Sequence, residues 1–252
     1  MALGKLAQIC RGPGANAVSC LLLRVVEDFE RIASEGYTKW SNAAVRELAA
    51  AYTCNNAAAL LDASSRYTAL VYEALHATYG RAVSIDAEVE TRLTIHARNP
   101  YTPLEIGISW HPILNVPYIP ASSLKGAVRA YAEASNIRPC GKAPEELFGT
   151  AGGAGLIEIT DAYPVKCVDK LIEPDIINPH YREVEGQIGE ADVSPTPLLF
   201  PTAARGVVFR FFVAPRAEAD GKCLTEILDL VRGALAEGIG AKTRLGYGAL
   251  RF

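Results

Sequence analysis

At Val83 the spacing of apolar residues changes from helical to strictly alternating, and this change constrains the fold more than any other feature of the chain. Val83, Ile85, Ala87, Val89, Thr91, Leu93 and Ile95 alternate with Ser84, Asp86, Glu88, Glu90, Arg92, Thr94 and His96. A period of two over that length puts one set of side chains on a buried face and the other toward solvent, as in a half-buried strand. Upstream, Val18, Leu21, Leu22, Val25, Val26, Phe29 and Ile32 recur at helical spacing with Glu27, Asp28, Glu30 and Arg31 between them. That pattern predicts a helix from Ala17, ended by Gly36. Ser41 is the expected N-cap of a second helix to about Tyr52. The alanine-rich stretch from Asn56 to Tyr79 reads as a third helix, closed by Gly80. Residues 1–16 read as irregular, and 1–80 as a helical region distinct from 81–252.

Downstream of the strand, prolines 100, 103, 112, 117 and 120 mark a loop. Ser122 or Ser123 is the expected cap of a helix to about Ser135. A second strand is expected over 156–161, a third over 206–213, a helix over 222–237 and a short last strand over 246–252. Residues 162–201 show no sustained period and read as an insertion; at about forty residues such a segment usually binds something. From Val83 onward the order is β-α-β-β-α-β. This predicts an α+β, ferredoxin-like domain: a four-stranded antiparallel sheet with two helices on one face.

The chain is half hydrophobic and its net charge is only −3, so no global field draws it to nucleic acid, and any RNA binding must come from local patches. The six cysteines (10, 20, 54, 140, 167, 223) contain no CxxC pair, and the histidines (76, 96, 111, 180) are dispersed. No zinc site and no cofactor are expected. Reduced, mostly buried thiols in a cytoplasmic chain are the expectation. No leader pattern and no apolar run of about eighteen residues is present, so no membrane span is expected.

Two local patches stand out. Residues 118–132 contain Lys125 and Arg129 and no acid. Four apart, these cations share a helix face, and Ser122, Ser123 and the free N–H groups of the helix start add donors. An ordinary solvated face is the competing reading. The second patch runs Gly238-Ile-Gly240-Ala-Lys242-Thr243-Arg244-Leu-Gly246-Tyr-Gly248, with four glycines in eleven residues. Glycines tolerate positive φ and let another backbone come close, and a cationic loop of this kind suits a polyanion. A tight turn between a helix and the last strand explains the same spacing. The polar face of the first strand carries Asp86, Glu88 and Glu90 against a single Arg92, which repels phosphate. That face is therefore covered or meets a protein, and the open-sheet mode of RNA stacking is disfavoured.

For catalysis the nearest acid–base constellation is Asp175, His180 and Tyr181, although Asn178-Pro179 also suits a structural turn. His96 and His111 have no evident partner in sequence, and no carboxylate group suggests a metal site.

The segment from Tyr118 to Arg129 resembles the I-P-G-S-S-L-K-G-A-L-R stretch of the RAMP superfamily of CRISPR effector proteins, with Ala121 where glycine is usual. The glycine loop resembles that superfamily's C-terminal signature. Leu104 to His111, Asp161 to Pro164, Asp175 to Tyr181 and Pro195 to Phe200, in this order, are similar to the sixth-subunit family of the type III-B (Cmr) complex. The resemblance covers about Glu88 to the C-terminus. It implies a ferredoxin-like RAMP domain with insertions, placed near the 3′ end of a guide RNA. The implied partners are guide RNA and target RNA, the backbone RAMP subunits, a neighbouring RAMP subunit and a small helical subunit. It also implies an RNA-holding role without catalysis, with contacts from Ser122, Ser123, Lys125, Arg129, Gly238, Gly240, Lys242, Thr243, Arg244, Gly246 and Gly248. Backbone RAMP subunits that cut RNA use an acid in the loop after the first strand. Glu105 is the acid in that loop here, and with Ile106 and Ile108 after it, it reads as structural. A guide-processing endoribonuclease and a protein-docking scaffold are the alternatives.

Overall fold

The computed structural model describes residues 14–178, 182–184, 187–189, 197–216 and 221–252. It opens with α1 (Ala17–Glu27), α2 (Phe29–Glu35), α3 (Tyr37–Ala51) and α4 (Ala58–Tyr79). The single first helix expected from periodicity is two, because the chain bends at Asp28 (φ −93°, ψ 12°). The Asp28 carboxylate accepts from the Trp40 indole N–H at 2.9 Å, which ties the bend to α3. Gly36 both ends α2 and stands at the N-cap of α3. Ser41, the expected cap, lies inside α3, fully buried, and its hydroxyl accepts the Glu105 backbone N–H at 3.2 Å. A capping preference is a local signal; here a long-range partner uses the same oxygen. The end of α4 is as expected, with Gly80 left-handed at φ 69°.

The remaining elements are β1 (Val83–Val89), β2 (Trp110–His111), β3 (Val116–Pro117), α5 (Ala121–Ala134), α6 (Pro144–Phe148), β4 (Gly149–Thr150) and β5 (Gly153–Ala154). They continue with β6 (Ile157–Ile159), β7 (Tyr163–Lys166), β8 (Ile172–Ile177), β9 (Arg182–Val184), β10 (Gln187–Gly189) and β11 (Leu198–Ala203). Last come β12 (Val208–Pro215), α7 (Gly221–Glu237) and β13 (Leu250–Arg251). The central sheet is antiparallel with order β13-β1-β12-β6, and β7 also pairs with β12. The class is α+β with helices and antiparallel sheets.

Alternation sorts the sheet into two faces. Ile85 lies opposite Phe211 and Ala87 opposite Phe209, all buried, in one core with Leu124 and Val128 of α5 and Val231 and Leu235 of α7. Helices α5 and α7 approach so closely that a Cβ on Gly233 would lie 2.6 Å from the Tyr131 hydroxyl oxygen. On the other face Phe212 is buried beneath Tyr72 of α4, ring centres 5.6 Å apart. Ala17, Leu48, Tyr52 and Leu61 belong to the same core as the sheet.

The acids of the first strand are neutralised from neighbouring strands. Arg210 clasps Asp86 through two bonds of 2.6 and 2.7 Å, and Arg251 reaches Glu88 at 3.2 Å and Glu90 at 3.4 Å. Arg92, counted in the sequence as the one cation of this face, turns instead to Glu173 and Asp175 of β8. Cross-strand partners of this kind are invisible until register is known.

Two further expectations are corrected. Residues 162–201 contain strands: β7 joins the central sheet, and β8 pairs with β11. Their prolines mask the strand signal, and Pro174 stands directly opposite Pro201. The thiols among the described residues are oxidised. Cys54 bonds Cys167 across a Cα separation of 5.8 Å, and Cys140 bonds Cys223 across 4.9 Å. Cys20 is also disulfide-bonded, and no free cysteine occurs among the described residues. Scattered positions gave no pairing signal because disulfides report spatial, not sequential, proximity.

Candidate nucleic-acid interface

The glycine loop is built by close packing of the chain on itself. Gly238, Gly240, Gly246 and Gly248 all have positive φ, from 79° to 106°. A Cβ at Gly248 would lie 2.0 Å from the Ile239 carbonyl oxygen, at Gly240 2.4 Å from that of Thr94, and at Gly238 2.7 Å from that of Tyr247. The backbone that these glycines admit is therefore the chain's own. Gly246 alone of the four faces open space. The loop is sewn down by the N–H groups of Ile239 to Gly248, Ala241 to Thr94 and Gly248 to Arg92, at 2.9, 2.9 and 3.0 Å. Its centre is one 3-10 turn, Thr243–Leu245, preceded by Lys242 in the left-handed region at φ 64°.

Lys242 is half-buried, with its ammonium 4.2 Å from the centre of the Phe200 ring and 5.2 Å from that of Tyr247. Burial lowers its pKa below the ordinary lysine value, opposed by the Asp175 charge. Tyr247 donates to Asp175, which also accepts from Arg92 at 3.1 Å and from the Ile176 N–H at 2.8 Å. Burial works to raise the Asp175 pKa, but these donors together hold it below the usual carboxylate value. The Tyr247 phenol is pushed up to about 12, by burial and then by Asp175. Arg244 is exposed and makes no ion pair with the described residues, while Thr243 is half-buried beside it.

At the second patch Pro120 occupies the N-cap of α5, so neither Ser122 nor Ser123 caps it. The Ala121 N–H donates to Asp161 at 2.6 Å, and the other oxygen of that carboxylate accepts from the Tyr163 hydroxyl at 3.2 Å. The helix start thus already carries a protein carboxylate, the charge its dipole favours. Arg129 is spent internally: it donates to Glu133 at 2.7 Å, to the Gly149 carbonyl at 3.0 Å and to Glu145 at 3.4 Å. Lys125 makes no ion pair with the described residues, and Ser122 is exposed. Of the four cations singled out in the sequence, Arg244 and Lys125 are uncommitted in this sense, whereas Lys242 and Arg129 hold the fold. Asp161 and Phe200 lie in segments that the sequence singles out as motifs, but their roles at the site were not legible there, because they depend on partners 40 and 42 residues away.

The catalytic candidates are placed as follows. His180 and Tyr181 lie outside the described residues, and Asp175 is tied to Arg92 and Tyr247. Glu105 accepts from the Thr38 hydroxyl at 2.5 Å, a structural contact between α3 and the loop. The Nδ1 of His111 accepts the Leu114 N–H at 3.0 Å, and burial lowers the pKa of the ring against the opposing Asp161 charge. His96 is exposed, in the left-handed region at φ 56°. Among the described residues no His, Cys, Asp or Glu group is arranged for a metal, and no helix is long and apolar enough to cross a membrane.

Comparison with known proteins fits these motifs. The chain is 40% identical over 141 residues to the CRISPR system subunit Cmr6 of Saccharolobus solfataricus, covering 56% of this chain and 46% of that protein. It is 37% identical over 115 residues to Cmr6 of Pyrococcus furiosus, covering 41% of this chain and 33% of that one. The matches thus span less than half the length of these relatives. A chain in the cryo-EM structure of the type III-B Cmr-beta complex bound to cognate target RNA shares the fold, with a TM-score of 0.78 at 24% identity, over 99% of this chain and 95% of that one. The RAMP superfamily model matches residues 86–251, a span that takes in the central sheet, the start of α5 and the glycine loop. The chain belongs to the RAMP superfamily.

Proposed function

We propose that this chain is a non-catalytic, RNA-binding structural subunit of a cytoplasmic type III-B CRISPR effector complex, seated near the 3′ end of the guide RNA and contributing to antiviral defence. Its partners in this reading are guide and target RNA, the backbone RAMP subunits, a neighbouring RAMP subunit and a small helical subunit. The similarity to two Cmr6 proteins supports the assembly. The observation that carries the RNA role is Arg244, an exposed cation on a loop otherwise pinned by its own backbone. Lys125 and Ser122 extend the same role to the start of α5. We read the strand order β13-β1-β12-β6, with α5 and α7 packed together, as ferredoxin-like. Residues 81–252 form the RAMP unit in this reading, with an insertion around 162–201 whose first strand, β7, belongs to the central sheet, and with 1–80 added before it.

The test is the salt dependence of RNA binding by the assembled complex. Arg244→Ala with Lys125→Ala flattens the slope of log K against log salt by roughly 0.7–0.9 per lost phosphate contact. An unchanged slope and affinity would overturn the reading. Absence of catalysis is checked by incubating the chain with labelled repeat RNA. Site-specific cleavage that His180→Ala abolishes would establish the endoribonuclease alternative instead.

A further inference from the structure

A cleft of about 1090 Å³ opens between α1 and the 96–101 turn. Val18 and Leu22 of α1 form its apolar wall, and Ser109, Trp110 and Tyr118 line it from the other side. Among the described residues no acid lines it, and its lining includes Arg98 and His96. Tyr101 stands at the rim and is 77% exposed. It does so on a fixed turn: Asn99 accepts the Tyr101 N–H at 3.0 Å and donates to the Ile108 carbonyl at 3.0 Å. Ser109 is 2% exposed, and its hydroxyl has no hydrogen-bond partner among the described residues. A buried, unpaired hydroxyl beside a large aromatic cleft marks a place where a polar ligand edge completes the bonding.

The cleft is also joined along the chain to both cationic segments. The Thr94 carbonyl holds the glycine loop through Ala241, and the same segment then supplies His96 and Arg98 to the cleft. Tyr118, at its other side, leads through Pro120 directly into α5. We infer that the cleft seats one unstacked nucleobase of a single-stranded RNA. Tyr101 is the stacking ring, Ser109 a polar contact to the base edge, and Arg98 the partner of the adjoining phosphate. The inference rests on the RNA-binding reading above. A cationic lining without an acid among the described residues, with one exposed aromatic ring at its rim, fits a base carrying phosphate better than a protein segment, since a π-face accepts any base while the cation takes the backbone.

The test compares two oligomers of equal charge on the full chain: a single-stranded 10-mer RNA and a fully abasic ribose-phosphate 10-mer. The natural oligomer is expected to bind about tenfold tighter, the order of one base–aromatic stack. Tyr101→Ala, an exposed substitution that leaves the fold intact, removes most of that difference, and Ser109→Ala part of it. Equal binding of the two oligomers, no binding of either, or a full difference retained in Tyr101→Ala would overturn the inference. Displacement of the 10-mer by adenosine monophosphate at matched affinity would also overturn it, reassigning the cleft to a free nucleotide. Arg244→Ala with Lys125→Ala weakens both oligomers equally. Failure of that pair alone therefore strikes the phosphate reading and leaves the cleft standing.

Discussion

Lys242 holds its ammonium 4.2 Å from the centre of the Phe200 ring, so the central cation of the glycine loop is bound to β11 of its own chain. Two residues on, Arg244 is exposed. The two cations therefore separate in experiment. Lys242→Ala lowers stability by about 1 kcal/mol, the scale of a partly desolvated cation–π contact. Arg244→Ala changes stability by less than about 0.5 kcal/mol and acts on the salt dependence of RNA binding. Thermal melts beside RNA titrations at two salt concentrations read both effects; equal melts for the two variants would contradict this assignment.

The four loop glycines have a rank order. Gly248→Ala drives a Cβ to 2.0 Å from the Ile239 carbonyl oxygen at φ 79°. Clash and left-handed strain together cost about 3 kcal/mol or more. Gly246→Ala meets open space at φ 81°, and left-handed strain alone costs about 1 kcal/mol. Denaturant midpoints of the two variants give the comparison, and the order must not invert.

Under non-reducing conditions thiol alkylation is expected to leave Cys54, Cys140, Cys167 and Cys223 unlabelled, because they form two disulfides. Cys140→Ser removes a link between residues 83 apart, and costs about 2–4 kcal/mol. A reductant lowers the melting temperature of the parent chain by more than that of the variant. Full labelling of the native chain by alkylating reagent would refute the pairing.

Stability falls in acid. Asp86, chiefly through its bond to Arg210, and Asp175, through Tyr247, Ile176 and Arg92 against the effect of burial, both have pKa values below the ordinary carboxylate. A depressed carboxylate pKa contributes stability that is present above the unfolded value of about 3.9 and is lost as pH falls through the folded one. Melting temperatures should decline below about pH 4. The decline is shallower in Asp175→Asn, which begins from a lower stability at pH 6. Parallel profiles for parent and variant would exclude a contribution from this carboxylate.

Asp161→Ala exposes the first N–H of α5 and costs about 1 kcal/mol, the usual worth of a lost N-terminal acceptor. Asp161→Asn keeps an acceptor oxygen and recovers part of the loss. Urea unfolding of the two variants distinguishes this cap from a merely packed side chain, for which they would be equal.

Much of this was legible one dimension at a time. The alternation from Val83 made β1, the helical spacing before it marked three helices of which the first is split into α1 and α2, and Gly80 closed α4 where its left-handed tolerance predicts. The motifs around Lys125 and Lys242 were visible as strings, and they carried the family. What stayed hidden was pairing. No local pattern says that Arg210 will face Asp86, that Arg251 will reach Glu88 and Glu90, or that Cys54 will meet Cys167.

The sequence by itself determined that the chain before Val83 is helical, where the period switches to strand, and that cations and glycines concentrate at two places. These are properties of neighbours along the chain, set by side-chain periodicity and backbone freedom. Only the tertiary structure decided which cations remain for a partner. Arg129 is consumed by Glu133, Glu145 and Gly149, and Lys242 by the rings of Phe200 and Tyr247, whereas Arg244 is left exposed. A charge's availability depends on what the fold brings within a few ångströms of it, and that proximity is written in register and packing rather than in sequence spacing.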